Sequence, residues 1–347
     1  MRRVGIIANP VSARDIRRVI ANATALQITD RANIVLRVLA CLKACGIGDV
    51  VMMPENGGIR SHVKRGLDRS HNRGDTEFPN VTYIDMPITG TVDDSIRAAA
   101  AMRELNLSAI VVLGGDGTHR AVVSACGDIP IAGISTGTNN AFPEHREPTI
   151  VGLAVGLTVS GRIPRATAYS LNKRIVVSVN GLREIALVDA AIVTERYVGA
   201  RALWRTETFR ELYVTFADPE VIGMSAIAGL LEPVGRREAG GLAVELAPEG
   251  EAALTLLAPI APGHIRPIGI RSWRRIKAAS PIRPSTEAGS IALDGERELS
   301  FSERDTVTLT LEENAFRTID VGACMIYAAR QGLFQRVLSP ELQRSVI

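Results

Sequence analysis

Residues 111–119 read VVLGGDGTH. An apolar, β-branched run of the kind that makes a buried strand stops at Gly114-Gly115, and an acid, a third glycine and a threonine follow. A tight Asp-Gly turn would account for the glycines. A phosphate site would account for the acid as well. Glycine lets the backbone approach a ligand closely and take positive φ at little cost. A loop feeding a helix N-terminus offers unpaired N–H groups and the positive end of the helix dipole. Asp116 would repel phosphate if it faced it alone, but it suits such a site as a Mg²⁺ ligand or as the acceptor of a proton from an attacking hydroxyl. Two familiar phosphate motifs do not fit. His119 stands where a Walker lysine would follow, and Arg120 takes the place of the third glycine of GxGxxG.

Working outward, the same strand-then-loop pattern recurs. IPIAGISTGTNNAF (129–142) reads as the next strand, and its loop Ser135-Thr136-Gly137-Thr138-Asn139-Asn140 is dense in hydroxyls and amides. Such groups hydrogen-bond ribose or phosphate, and they also serve as ordinary helix caps. Upstream, VGIIAN (4–9) is a short strand ended by Asn9-Pro10, since proline cannot donate to a ladder. Asp30 is positioned to cap a helix running to about Ala44, with Gly46 as its stop. GDVVMMP and VTYIDMP are further strands, and SHNRGDTEFPN (70–80) reads as a surface loop. Thr91 followed by Asp94 is a capping signal for the alanine-rich helix after it. Strands alternating with helices predict a doubly wound parallel α/β layer, with both glycine loops at carboxyl strand ends, where open sheets bind ligands.

After about residue 150 the period changes to two, in KRIVVSVNG, IALVDAAIVT, GGLAVELAPEG, SIALDGERELSF and DTVTLTLEE. The expected organisation is therefore an α/β phosphate- or nucleotide-binding domain over 1–148, a β-rich domain over 149–325 and, over 326–347, a closing helix that returns to the first domain. The 347 residues are 46% hydrophobic and 22% charged, as in a folded globular chain of two domains. A net charge of +3 gives no concentrated basic face for nucleic acid. The one local cluster, Arg271, Arg274, Arg275 and Lys277 around Trp273, reads as a solvated edge strand or as a grip on substrate phosphate. Apolar runs are too short to span a bilayer, and the N-terminus reads as a first strand, so a cytoplasmic protein without membrane insertion is expected. Cys41 and Cys45 lie four apart in a helical apolar pattern and read as core, and the five histidines lack metal-site spacing.

The motifs together resemble the NAD kinase and diacylglycerol kinase superfamily. GGDGT (114–118) is similar to its signature, GTNN (137–140) to its second loop, and NPVS (9–12) to the turn that opens these domains. LAPIAPGHIRPIGI (257–270) and Leu293-Asp294-Gly295-Glu296 resemble elements of the β domain. Within the superfamily, GGDGTHRAV and GISTGTNNAFP look like the acetoin-catabolism protein X branch. The resemblance implies an ATP- and Mg²⁺-dependent kinase acting on a hydroxyl, with NAD(H) as the first candidate acceptor and a homodimer or tetramer as the assembly. Asn9, Gly114, Gly115, Gly117, Thr118, Gly137, Thr138, Asn139 and Asn140 would bind the nucleotide and its phosphates. Asp116 would be the catalytic group, and His119, Asp189, Asp294 and Glu296 are secondary candidates. The Asp294-Gly295 pair also reads as a plain hairpin turn. One departure bears on the substrate. The family's Asn-acid pair that grips a ribose falls on Val188-Asp189, and Val188 cannot hydrogen-bond a hydroxyl. The segment 223–229 has likewise lost most of the expected hydroxyls. Two rival readings follow: a non-catalytic nucleotide-binding regulator linked to acetoin catabolism, and a lipid or alcohol kinase of the diacylglycerol kinase type.

Overall fold

The strand read from VVLG is β4 (Ala109–Gly114), and all of its residues are buried. The computed structural model describes residues 2–10, 26–74, 77–137, 140–194 and 208–335. β4 pairs in parallel with β1 (Arg3–Ala8) on one side and β5 (Ile131–Ser135) on the other, and β1 continues through β2 (Asp49–Met52) to β3 (Asn80–Tyr83). Side chains alternate between two cores. Ala109, Val111 and Leu113 join Val4 and Ile6 on one face, whereas Ile110 and Val112 join Ile7 on the other. The first face is covered by α1 (Ile28–Ala44), α2 (Ile59–Arg73), α5 (Pro148–Val159) and α8 (Val321–Arg330), the second by α3 (Val92–Glu104) and α4 (Asp116–Ala125). Double coverage is why these strands read as unbroken apolar runs. Each fully buried Val, Ile or Leu contributes roughly 1.5–3 kcal/mol.

Helix ends refine the sequence reading. α1 starts two residues before Asp30, behind Gln27, and Asp30 closes a capping box from inside by accepting the Gln27 N–H at 3.1 Å. Gly46, at φ 85°, follows its end. Cys41 and Cys45 sit where α1 crosses α5, so close that a Cβ on Gly152 or Gly156 would lie 2.9 or 2.6 Å from theirs. They are packing residues, as expected. The polar run from residue 70 is not loop at its start. α2 continues through Arg73 to Gly74, because its inner face, with Val63 and Gly66 buried, carries the helix while the polar residues face water. On α3, Thr91 caps by accepting the Asp93 N–H, and Asp94 reaches back to Thr89 and Gly90.

The sheet does not end at β5. β15 (Val307–Ile319) joins it in parallel through Thr318 and Ile131, and β6 (Tyr169–Val179) and β7 (Leu182–Ala186) add antiparallel strands. The eight-stranded order is β3-β2-β1-β4-β5-β15-β6-β7, so three strands from the β-rich half extend the first sheet. α8 packs Cys324 and Ala328 into the core of that sheet. A second, antiparallel sheet has the order β11 (Leu254–Ala261), β12 (His264–Ile276), β10 (Gly241–Leu246), β9 (Phe209–Val214), β8 (Asp189–Val193), β13 (Gly289–Leu293), β14 (Glu296–Phe301). The single-turn α6 (Arg165–Ala168) precedes β6, and α7 (Met224–Leu231) covers the second sheet, placing Met224, Ile227 and Ala228 in its core. The basic cluster lies on and just after the carboxyl half of β12, where the strand pairs with β10 alone because β11 reaches only to Ile270, so this stretch is a solvated edge as expected. Its Arg275 pairs with Glu232 and Glu238, and Arg271 with Glu251.

Two buried polar residues fasten this frame. His119 is 0% exposed. Its Nδ1 lies 2.9 Å from the Gly115 carbonyl, which requires the proton on Nδ1, and its ring tilts against Phe142 at 5.8 Å. A sequence candidate for ligand contact is therefore a core residue of α4. Burial lowers its pKa from the ordinary 6.5 to about 4, against the opposing hydrogen bonds to Gly115 and Val112. On β6, the Lys173 ammonium donates to the carbonyls of Gly235 (3.2 Å), Glu238 (2.7 Å) and Gly240 (2.7 Å), holding the turn that carries Arg236.

Since the unfolded chain protonates His119 near pH 6.5 and the folded chain only near 4, its contribution is intact above pH 6.5 and is lost as pH falls through that window. His119→Gln should flatten this limb of the stability–pH profile by about 3 kcal/mol, and an unchanged profile in urea titrations at stepped pH would refute the linkage. Lys173→Met strands three carbonyls and should cost about 2–3 kcal/mol in the same titrations at pH 7. A loss below half of that would mean water replaces the ammonium.

Candidate functional site

β4 and β5 end side by side, with Gly114 paired to Ser135 and the Thr136 N–H donating to the Gly114 carbonyl at 3.2 Å. Both glycine loops therefore leave the sheet from adjacent points. The first is very short, because α4 begins at Asp116 behind Gly115. Gly114, Gly115 and Gly117 are not among the positive-φ residues, and Gly115 has an ordinary φ of −92°. Conformational freedom is thus not what the sequence needs from these glycines; room is. A Cβ on Gly114 would lie 2.4 Å from the Thr118 Cβ. One on Gly115 would lie 2.8 Å from Asn140 Oδ1, one on Gly137 2.4 Å from the same oxygen, and one on Gly117 2.9 Å from Glu296 Oε2. The loops are laced together by the protein's own side chains.

Asp116 is the main fastening. Its residue is 9% exposed, and its two carboxylate oxygens accept the backbone N–H groups of Ala141 (2.9 Å) and Phe142 (3.0 Å) in the second loop. Arg236 grips the same two residues from the other side, donating to the Phe142 carbonyl at 3.1 Å and to the Ala141 carbonyl. Its guanidinium lies over the Phe216 ring at 4.1 Å. Burial lowers its pKa from the ordinary value, while Glu144, Asp218 and Asp116 oppose that shift. The peptide 141–142 is thereby held on its donor side by an acid and on its acceptor side by a base. Asn140 completes the join by donating to Ser135 Oγ at 2.8 Å.

The β-rich half adds a second layer. Asp294 and Gly295 form the tight β13–β14 turn with φ of 50° and 77°, the left-handed pair that a two-residue hairpin of this kind requires. The turn does more than reverse the chain. The Asp294 carboxylate is buried and accepts the N–H groups of Leu187, Val188 and Asp189 at 2.7–3.2 Å. Burial pushes its pKa up, while Arg120 and these N–H groups pull it down. Arg120 of α4 stands 3.9 Å from Asp294 and 3.7 Å from Glu296. Asp294 thus orders the segment that includes Val188, and Glu296 sits over Gly117. Val188 itself is 1% exposed in the second core of the first sheet, together with Phe142, Phe216 and Phe316.

The structure brings Gly114, Gly115, Asp116, Gly117, Thr118, Gly137, Asn140 and Glu296 together, with Asp294 joined through Arg120. Asn9 borders them, its N–H donating to the Leu113 carbonyl at 3.4 Å. Thr138 and Asn139 lie outside the described residues. Asp189 is buried at the start of β8. Sequence reading missed Arg236 and Arg120. The first stands in a polar turn, GRRE, that carries no local signal, and the second was read only as a missing glycine.

Comparison with known proteins bears on the family and the fold. Residues 4–159 match the family model described as ATP-NAD kinase N-terminal domain, and residues 173–314 match acetoin catabolism protein X C-terminal domain. The fold is similar to that of yeast NADH kinase complexed with NADH, at TM-score 0.51 and 12% identity, covering 98% of this chain and 90% of that one. A diacylglycerol kinase structure from Bacillus anthracis aligns at TM-score 0.47 and 13% identity, over 92% of this chain and 96% of that one. Acetoin catabolism protein X of Cupriavidus necator is 57% identical over 342 residues, 97% of this chain and 95% of the relative. A two-domain NAD kinase-like fold and identity of that extent place the chain in the acetoin catabolism protein X family.

Proposed function

We propose that the chain is a nucleotide-dependent phosphotransferase that moves a phosphoryl group from ATP to the hydroxyl of a small molecule, with NAD(H) the first acceptor to test. The observation that carries this reading is the fastening of two glycine loops at adjacent parallel strand ends through Asp116 and Asn140. Phosphoryl transfer depends mainly on positioning and charge neutralisation, so a rigid pair of loops at a helix N-terminus is what it needs from a protein. In this reading Gly114, Gly115, Gly117 and Thr118 offer backbone to phosphates, and Gly137 and Asn140 hold the nucleotide beside them. Asp116 is oriented by its two N–H bonds toward the acceptor side. Among the described residues no group of three or more His, Cys, Asp or Glu could hold a metal ion. In this reading Mg²⁺ would be held by the nucleotide phosphates and one carboxylate, that of Asp116. When bound, Mg²⁺ would neutralise charge on the transferring group.

A second reading has its own observation. Val188 fills the core where the family's ribose-gripping amide is expected, so a nucleotide could be bound here without an acceptor, as in a regulator of acetoin catabolism.

Radiolabelled ATP and Mg²⁺ with NAD, NADH, sphingoid and glycerolipid alcohols separates the two. Transfer to one acceptor supports the kinase, and ATP binding with no transfer to any supports the regulator. Asp116→Asn should slow transfer about 10²- to 10³-fold. It should also lower the melting temperature, because an amide NH₂ then faces a backbone N–H. Wild-type turnover in this variant would remove Asp116 from the proposed role.

A further inference from the structure

The carboxyl ends of β1, β2 and β3 open into a cavity of about 470 Å³. Asn9 follows β1, Met53 and Glu55 follow β2, and Ile88 and Thr89 follow β3. Because the Asn9 N–H is bonded to the Leu113 carbonyl, the cavity borders the strand end that carries Gly114. Met53 and Ile88, with Ile28 from α1, supply apolar wall.

Glu55 stands out on this wall. It is 6% exposed. Its Oε1 accepts the Arg60 N–H at 2.5 Å, in the first turn of α2. Its Oε2 is buried and has no hydrogen-bond partner among the described residues. A buried carboxylate oxygen without a donor bears its desolvation cost uncompensated, so it needs a reason to be there. Another acid on the same cavity shows the ordinary solution. Asp94 accepts the N–H groups of Thr89 and Gly90 and the Thr89 hydroxyl. These outweigh the upward push of burial, and its pKa is lowered.

We infer that this cavity receives the nucleoside part of a nucleotide whose phosphates lie over the glycine loops, and that Glu55 Oε2 accepts the ribose hydroxyls. The inference rests on the nucleotide reading above and deepens it. Three observations converge. The crevice at the carboxyl ends of an open parallel sheet is where such ligands bind. Vicinal hydroxyls supply the donors that Oε2 lacks. The apolar wall accepts the face of a base, and the volume falls in the range of small-molecule pockets.

The test is calorimetric binding to the full chain with Mg²⁺, using ATP, 2′,3′-dideoxy-ATP, NAD and inorganic tripolyphosphate as probes. Wild type should prefer ATP to dideoxy-ATP by roughly 10- to 100-fold, the worth of a hydrogen bond to a charged group. Glu55→Gln, which keeps an oxygen for the Arg60 N–H, should weaken that preference, and Glu55→Ala should abolish it while leaving dideoxy-ATP binding unchanged. Circular dichroism melts establish that both variants fold. If NAD affinity falls instead in Glu55→Ala, the ribose is that of NAD and the inference stands. Equal wild-type affinity for ATP and dideoxy-ATP, with no loss of NAD affinity in Glu55→Ala, would overturn it, as would ATP and NAD binding that neither variant alters. In either case the phosphate reading would stand. Failure of every probe to bind would overturn both.

Discussion

The two hydrogen bonds from Ala141 and Phe142 to the Asp116 carboxylate are the constraint on which the rest of the site depends. They tie the first turn of α4 to the loop after β5, and Arg236 completes the tie from the opposite face. A carboxylate accepting two backbone N–H groups is held in place and in orientation. The glycines follow from the same requirement, because Asn140 and Glu296 come too close to the backbone for any Cβ at Gly115, Gly117 or Gly137.

The sequence discloses the first layer of this arrangement and conceals the second. Strand ends are legible because glycine interrupts an apolar run, as at Gly114, and because proline does so at Pro10. The parallel layer is legible because its strands are buried on both faces. The reason for each glycine is not legible, since the side chains that need the room come from Asn140 and, much farther along the chain, from Glu296. Arg236 is concealed for the same reason. It works through carbonyls of a distant loop and belongs to no motif. His119 is a different case. Given a helix starting at Asp116, its face is shared with Val122 and Val123, and that spacing alone marks it as core. Adjacency to the motif argues for a ligand, and helical period argues for the interior. The period prevails.

The segment from Leu187 to Asp189 shows a comparable division of roles. Val188 turns its side chain into the core, and its backbone N–H is taken by Asp294. The segment remains as firmly ordered as a binding segment would be, while its side chain is spent on packing. Asp294 holds the backbone of this segment and not its side chains. Backbone and side chain of the same residue thus serve two parts of the fold, the N–H tying it to the β13–β14 turn and the isopropyl group filling the core.

The place of β15 has a consequence for how the chain matures. It is the last strand in sequence yet lies inside the first sheet, between β5 and β6. Until Thr318 reaches Ile131, the edge of β5 presents unpaired backbone, and the helix from Val321 cannot close the core beneath it. Closing this sheet therefore requires residues 131 and 318 to meet across the whole β-rich half, a contact of long sequence separation of the kind that slows folding.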